Sequence, residues 1–95
     1  MILKGLHTEN KPVQTQLLFE PTESKVISVQ IAKGEMLKEH ISKTPALLVC
    51  VSGNAVFFDE KGMEINISSG IYVMIEVNVK HKVEAIEESN FLLIK

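Results

Sequence analysis

The stretch Gly34–Gly53, GEMLKEHISKTPALLVCVSG, sets the narrowest limit on what this chain can fold into. It opens on a glycine, passes a mixed run carrying His40, turns near Pro45, and reaches Gly53 through an apolar run. Proline cannot donate to a central ladder, so Pro45 separates two strands instead of lying inside one. Ala46–Val51 is apolar at every position, the pattern of a strand covered on both faces. A β meander accommodates this order; a helix does not, because Gly34, Pro45 and Gly53 punctuate it too closely.

The same grammar continues on both sides. Val26–Ala32 alternates, with Ile27, Val29 and Ile31 on one face and Ser28 and Gln30 on the other. Upstream, Val13–Phe19 reads as a strand whose Val13, Leu17 and Phe19 share a face. In a regular strand over Met36–Ser42, Met36, Lys38, His40 and Ser42 would share a face. Downstream come Ala55–Phe58, the reverse turn DEKG at Asp59–Gly62, Met63–Ile67, a turn at Ser68–Gly70 and Ile71–Ile75. Then His81, Val83 and Ala85 alternate with Lys80, Lys82 and Glu84, so His81 is expected to point inward. Phe91–Ile94 closes the series. Strands separated by turns every 8–12 residues predict an all-β barrel of two facing sheets. Residues 1–20 are expected to form an N-terminal edge strand or a dimerisation arm.

Ninety-five residues make one domain with a modest core. Such a core, beside strand-rich apolar segments, favours pairing with a second copy, so a homodimer is expected. Ten basic residues are intermixed with twelve acidic ones, for a net charge of -2, so no basic stripe points to nucleic acid. No apolar run approaches the roughly 20 residues that cross a bilayer as a helix. Cys50 is the sole cysteine, which excludes an internal disulfide and suits a reducing cytoplasm.

The organisation resembles the cupin family, small double-stranded β-helix barrels of the jelly-roll type. That family's first motif runs from a glycine through His-x-His and a glutamate to a second glycine. Gly34, His40 and Gly53 stand at matching positions, while Ser42 and Ala46 replace the second histidine and the glutamate. In the second motif Gly70 and His81 match, whereas Glu76, Asn78 and Ala85 replace the proline, glycine and asparagine. The resemblance implies a jelly-roll barrel with His40 and His81 facing one cavity, and it implies partial loss of the usual metal set.

Two readings of that cavity follow. In the first, His40, Ser42, His81, Leu48, Cys50, Tyr72 and Met74 line a pocket for a small organic ligand, without catalysis. In the second, His40 and His81 hold a divalent zinc, nickel or iron ion weakly, with a carboxylate recruited from Glu35, Glu39 or Glu76, in an oxygenase or isomerase. A third reading makes the barrel a structural or interaction module. His7 reads as a surface histidine in a polar stretch, and Cys50 as a small buried hydrophobe.

Overall fold

A computed structural model describes residues 2–20 and 22–95; the sequence expectations for Met1 and Pro21 lie outside the described residues. Among the described residues, a 3₁₀ turn at Leu3–Leu6 is followed by nine strands. These are β1 (Val13–Phe19), β2 (Val26–Ile31), β3 (Met36–His40), β4 (Ala46–Ser52), β5 (Asn54–Asp59), β6 (Glu64–Ser68), β7 (Tyr72–Ile75), β8 (His81–Ala85) and β9 (Ser89–Ile94). A five-stranded sheet in the order β1-β2-β9-β4-β7 faces a four-stranded sheet in the order β3-β8-β5-β6. Every strand pairing is antiparallel. The all-β, two-sheet expectation holds, with strand limits within about two residues of those read from the sequence.

Inward residues of both sheets interdigitate in one core. Val29, Ile31, Leu48, Cys50, Val73, Ile75 and Phe91 come from the larger sheet, and Ala55, Phe57, Ile67, Val83 and Ala85 from the smaller. The alternation in β2 therefore orients it as expected, yet Ser28 and Gln30 on its opposite face are buried too. Gln14, Gln30, Asn90 and Ser52, register partners across β1, β2, β9 and β4, form a hydrogen-bonded row there. Those bonds offset the cost of burying amides.

Two departures from regular strands matter. Between Leu17 and Phe19 the register of β1 slips by one residue, which takes Phe19 off the face that Val13 and Leu17 share; Leu17, Leu18 and Phe19 are all exposed. Residues 3–6 form a 3₁₀ turn and not a strand, which leaves β1 as the edge of the larger sheet.

Candidate functional site

The site begins with a bulge in β3. Leu37 pairs with Val83 and His40 with His81, so three steps on β3 match two on β8. The extra residue, a β-bulge, reverses the alternation. Leu37 packs against the core and His40 still lies opposite the inward His81, while Lys38 is left exposed. A regular β3 with Met36, Lys38 and His40 on one face is therefore corrected; the bulge is what permits a lysine beside an inward histidine.

The two rings meet with centroids 4.1 Å apart and planes tilted by 60°. His81 is 3% exposed and stacks on Phe57 at 5.8 Å, whereas His40 is exposed. His40 Nδ1 lies 2.7 Å from the Lys38 carbonyl and His81 Nδ1 3.2 Å from the Val79 carbonyl. A carbonyl oxygen only accepts, so each Nδ1 carries a proton in these contacts. Burial pushes the His81 pKa below its ordinary value; the carbonyl of Val79 opposes this shift, nearby His40 adds to it, and Asp59 opposes it. His81 is thus held as a neutral acceptor.

Ser42 and Ala46 join the two histidines around one cavity of about 40 Å³, completed by Ile41, Ile75, Leu93 and Lys95. All four positions aligned with the cupin ligand set therefore do converge. Their chemistry does not fit a transition metal. Ser42 Oγ donates to the Thr44 carbonyl at 2.6 Å, Ala46 offers a methyl group, and two imidazoles remain. Glu76 is engaged with Lys61 at 2.7 Å, and Glu35 and Glu39 line a groove that His40 borders but His81 does not. Among the described residues no three His, Cys, Asp or Glu side chains are grouped to hold a metal ion, and zinc sites ordinarily have at least three protein ligands.

Of the other predicted pocket residues, Leu48 and Cys50 are buried in the core and line none of the cavities described here. Burial pushes the Cys50 thiol pKa up, which the carbonyl of Ser52 partly opposes, so the thiol stays protonated and unreactive. Tyr72 and Met74 do not line the pocket. Each is 64% exposed, because β7 turns Val73 and Ile75 inward and leaves the alternate positions on the outer face. His7 is not free on the surface either: its Nε2 lies 2.7 Å from Oγ of the fully buried Ser28.

Next to the small cavity lies a hollow of about 440 Å³ lined by Glu23, Lys25, Ile41, Ser42, Lys43, Thr44 and Lys95. Ile41, Ser42 and Lys95 border both spaces. The sequence reading passed over these lysines, though a signal was there. Lys25 sits two residues before inward Ile27, and Lys95 two residues after Leu93, so strand parity assigns both to the inner face.

No protein-family model matches the chain, and no curated protein matches it. Solved structures do. A cupin superfamily protein from Desulfitobacterium hafniense DCB-2 superposes with a TM-score of 0.86 at 16% identity, covering 99% of this chain and 85% of that one. A conserved protein of unknown function from Streptococcus pyogenes gives 0.83 at 18% identity, over 99% and 82% of the two chains. An RmlC-like cupin with a double-stranded β-helix fold from Methanocaldococcus jannaschii gives 0.77 at 18%, over 94% and 84%. The chain has the cupin fold, in agreement with the motif positions at Gly34, His40, Gly53, Gly70 and His81.

Proposed function

We propose that the protein binds a small organic molecule at this mouth and does not convert it. One observation carries the reading. The four positions that converge on the inner cavity supply two imidazoles, a committed hydroxyl and a methyl, and they adjoin a 440 Å³ hollow. A hollow of that size falls in the usual range for small-molecule sites, about 300–1,000 Å³. The inner cavity, by contrast, has a volume of only about 40 Å³, room for a few water molecules at most. The ligand body would occupy the hollow and place one donor group towards His40 and His81.

Native mass spectrometry on protein purified without an affinity tag, together with metal analysis, tests this. A retained organic mass, displaced in a Ser42→Trp variant that fills the mouth, is the expected result. Stoichiometric, tightly held zinc, nickel or iron would overturn it and point to a metal-dependent enzyme.

Exposed Leu17, Leu18 and Phe19 on edge strand β1, with Tyr72 and Met74 on the outer face of the same sheet, support a homodimer through the larger sheet. Sedimentation at micromolar concentration is expected to give a dimer, and Leu18→Lys with Phe19→Lys to give a monomer. A monomeric wild type would rule out this assembly. No membrane or nucleic-acid partner is proposed; no described helix is long and apolar enough to cross a membrane.

A further inference from the structure

The hollow beside His40 has an unusual charge pattern. Lys25 N–H donates to the Lys95 carbonyl at 2.6 Å and Lys95 N–H to the Lys25 carbonyl at 3.0 Å. This exchange extends the β2–β9 ladder by one pair beyond Val26–Ile94. The two lysines are therefore directly opposed, on the face that carries Ile27 and Leu93 two residues further in. Like charges in directly opposed positions destabilise a sheet. Both lysines are exposed at the rim, and Lys95 also borders the cavity of His40 and His81.

Among the described residues no direct ion pair engages either lysine. The ion pairs there engage Lys4, Lys11, Lys61 and Lys82, and Lys25, Lys43 and Lys95 take part in none of them. Three ammonium groups thus border the hollow with Glu23 as the one carboxylate side chain among its lining residues. A protein with net charge -2 has concentrated cations at one end of its barrel.

We infer that the mouth is an oxyanion site: Lys25, Lys95 and Lys43 bind the carboxylate or phosphate of a small organic anion that carries a hydroxyl donor for the histidine pair. The second half of the statement follows from the imidazoles. Both Nδ1–H groups are spent on backbone carbonyls, so the buried His81 ring offers an acceptor at Nε2 and selects a donor on the ligand. The ammonium groups are mobile point charges that accept either oxyanion geometry. This inference rests on the small-molecule reading above and adds the chemical class of the ligand.

The probes are malate, a hydroxycarboxylate; glycerol 3-phosphate, a hydroxyphosphate; and malamide and glycerol, their uncharged counterparts. Each is titrated into the full chain by calorimetry and by amide and imidazole NMR. One of the anions is expected to bind, with resonances of Lys25, Ser42, Thr44, His81 and Lys95 moving together. Malate binding over glycerol 3-phosphate assigns a carboxylate ligand, and the reverse assigns a phosphate. In Lys25→Gln/Lys95→Gln, binding is expected to weaken at least about tenfold, the scale of losing one charge-assisted bond. Lys33→Gln/Lys80→Gln, which removes two lysines outside the hollow, is the charge-matched control and should leave binding unchanged. Dispersed spectra for each variant exclude unfolding as the cause. Uncharged probes that perturb the mouth as strongly as the anions, with the lysine variant unaffected, overturn the anion inference and leave the small-molecule reading standing. Inorganic phosphate or sulfate that binds as tightly as either organic anion also overturns it, since that outcome is an adventitious ion only. Silence at the mouth with every probe overturns both.

Discussion

The two ends of the barrel are built from the same strands and packed to opposite standards. At one end β4 turns into β5 through Ser52–Gly53–Asn54, against the start of β9. A Cβ on Gly53 would sit 2.5 Å from the Glu88 carbonyl oxygen and 2.6 Å from Ser89 Cα. Ser89 is fully buried; its Oγ accepts from Asn54 N–H at 3.0 Å and reaches the Glu87 carbonyl at 2.8 Å. At Gly53 there is no space for a methyl group. At the other end the strand termini carry His40, Ser42, Lys25 and Lys95 around a hollow of about 440 Å³. Polar groups there are exposed or weakly paired. The closed end holds the sheets in register, and the open end is free to carry chemistry without risking the fold.

The largest test of this contrast is Gly53→Ala. Its φ of 105° is unfavourable for a side chain, and the new Cβ has no room. Strain and overpacking together are expected to cost about 3 kcal/mol in denaturant unfolding. Gly62→Ala separates the two causes. Gly62 also has positive φ, at 90°, but nothing lies within 4 Å of an added Cβ, so only about 1 kcal/mol should be lost. Equal losses for the two variants would mean that the corner yields and the closed end is not specially tight.

Ser89→Ala should come next, at about 1–3 kcal/mol, because it removes the acceptor of the Asn54 amide at a buried position. Ser42→Ala is its counterpart at the mouth. Ser42 bonds only to the nearby Thr44 carbonyl and is partly exposed, so its removal should cost less than about 1 kcal/mol. A reversed order would contradict the division of labour between the ends.

Much of this was legible in the chain. The nine strands came from alternation and turn residues, and Gly34, His40, Gly53, Gly70 and His81 fell where the cupin pattern places them. What escaped was set by tertiary contacts. No local signal announces the bulge between Leu37 and His40, since its register is fixed by β8. Tyr72 and Met74 were expected inside, lining the cavity or completing the core. The strand instead turned Val73 and Ile75 inward, leaving the larger pair outside. His7 found its partner Ser28 across a sheet it does not belong to, a pairing that sequence separation hides.

A change of pH should reach the mouth before the closed end. Burial lowers the pKa of His81 in the folded protein, so between its ordinary value near 6.5 and the lower folded value the unfolded chain binds more protons. Stability is then full above about pH 6.5 and falls as the pH drops towards the folded pKa. The effect should be smaller than that of either closed-end substitution. His81→Gln, which keeps a polar group of similar size, should flatten the profile over that interval. An unchanged slope in this variant would show that the acid sensitivity arises elsewhere.

The smallest effect belongs to the opposed lysines. Lys95→Met retains the aliphatic stem beside Leu93 and removes one of two like charges in register with Lys25. Cross-strand repulsion on an exposed rim is weak, so the variant should gain at most about 0.5 kcal/mol in ligand-free protein at low salt. Raising the ionic strength should erase the gain, because added ions screen the wild-type pair and leave methionine indifferent. The sign carries the lesson. At the closed end both substitutions discussed destabilise the fold, whereas at the open end removing a charge relieves it. A loss on Lys95→Met, or a gain that persists in high salt, would mean that Lys95 acts through packing, and the two ends would then differ in tightness alone.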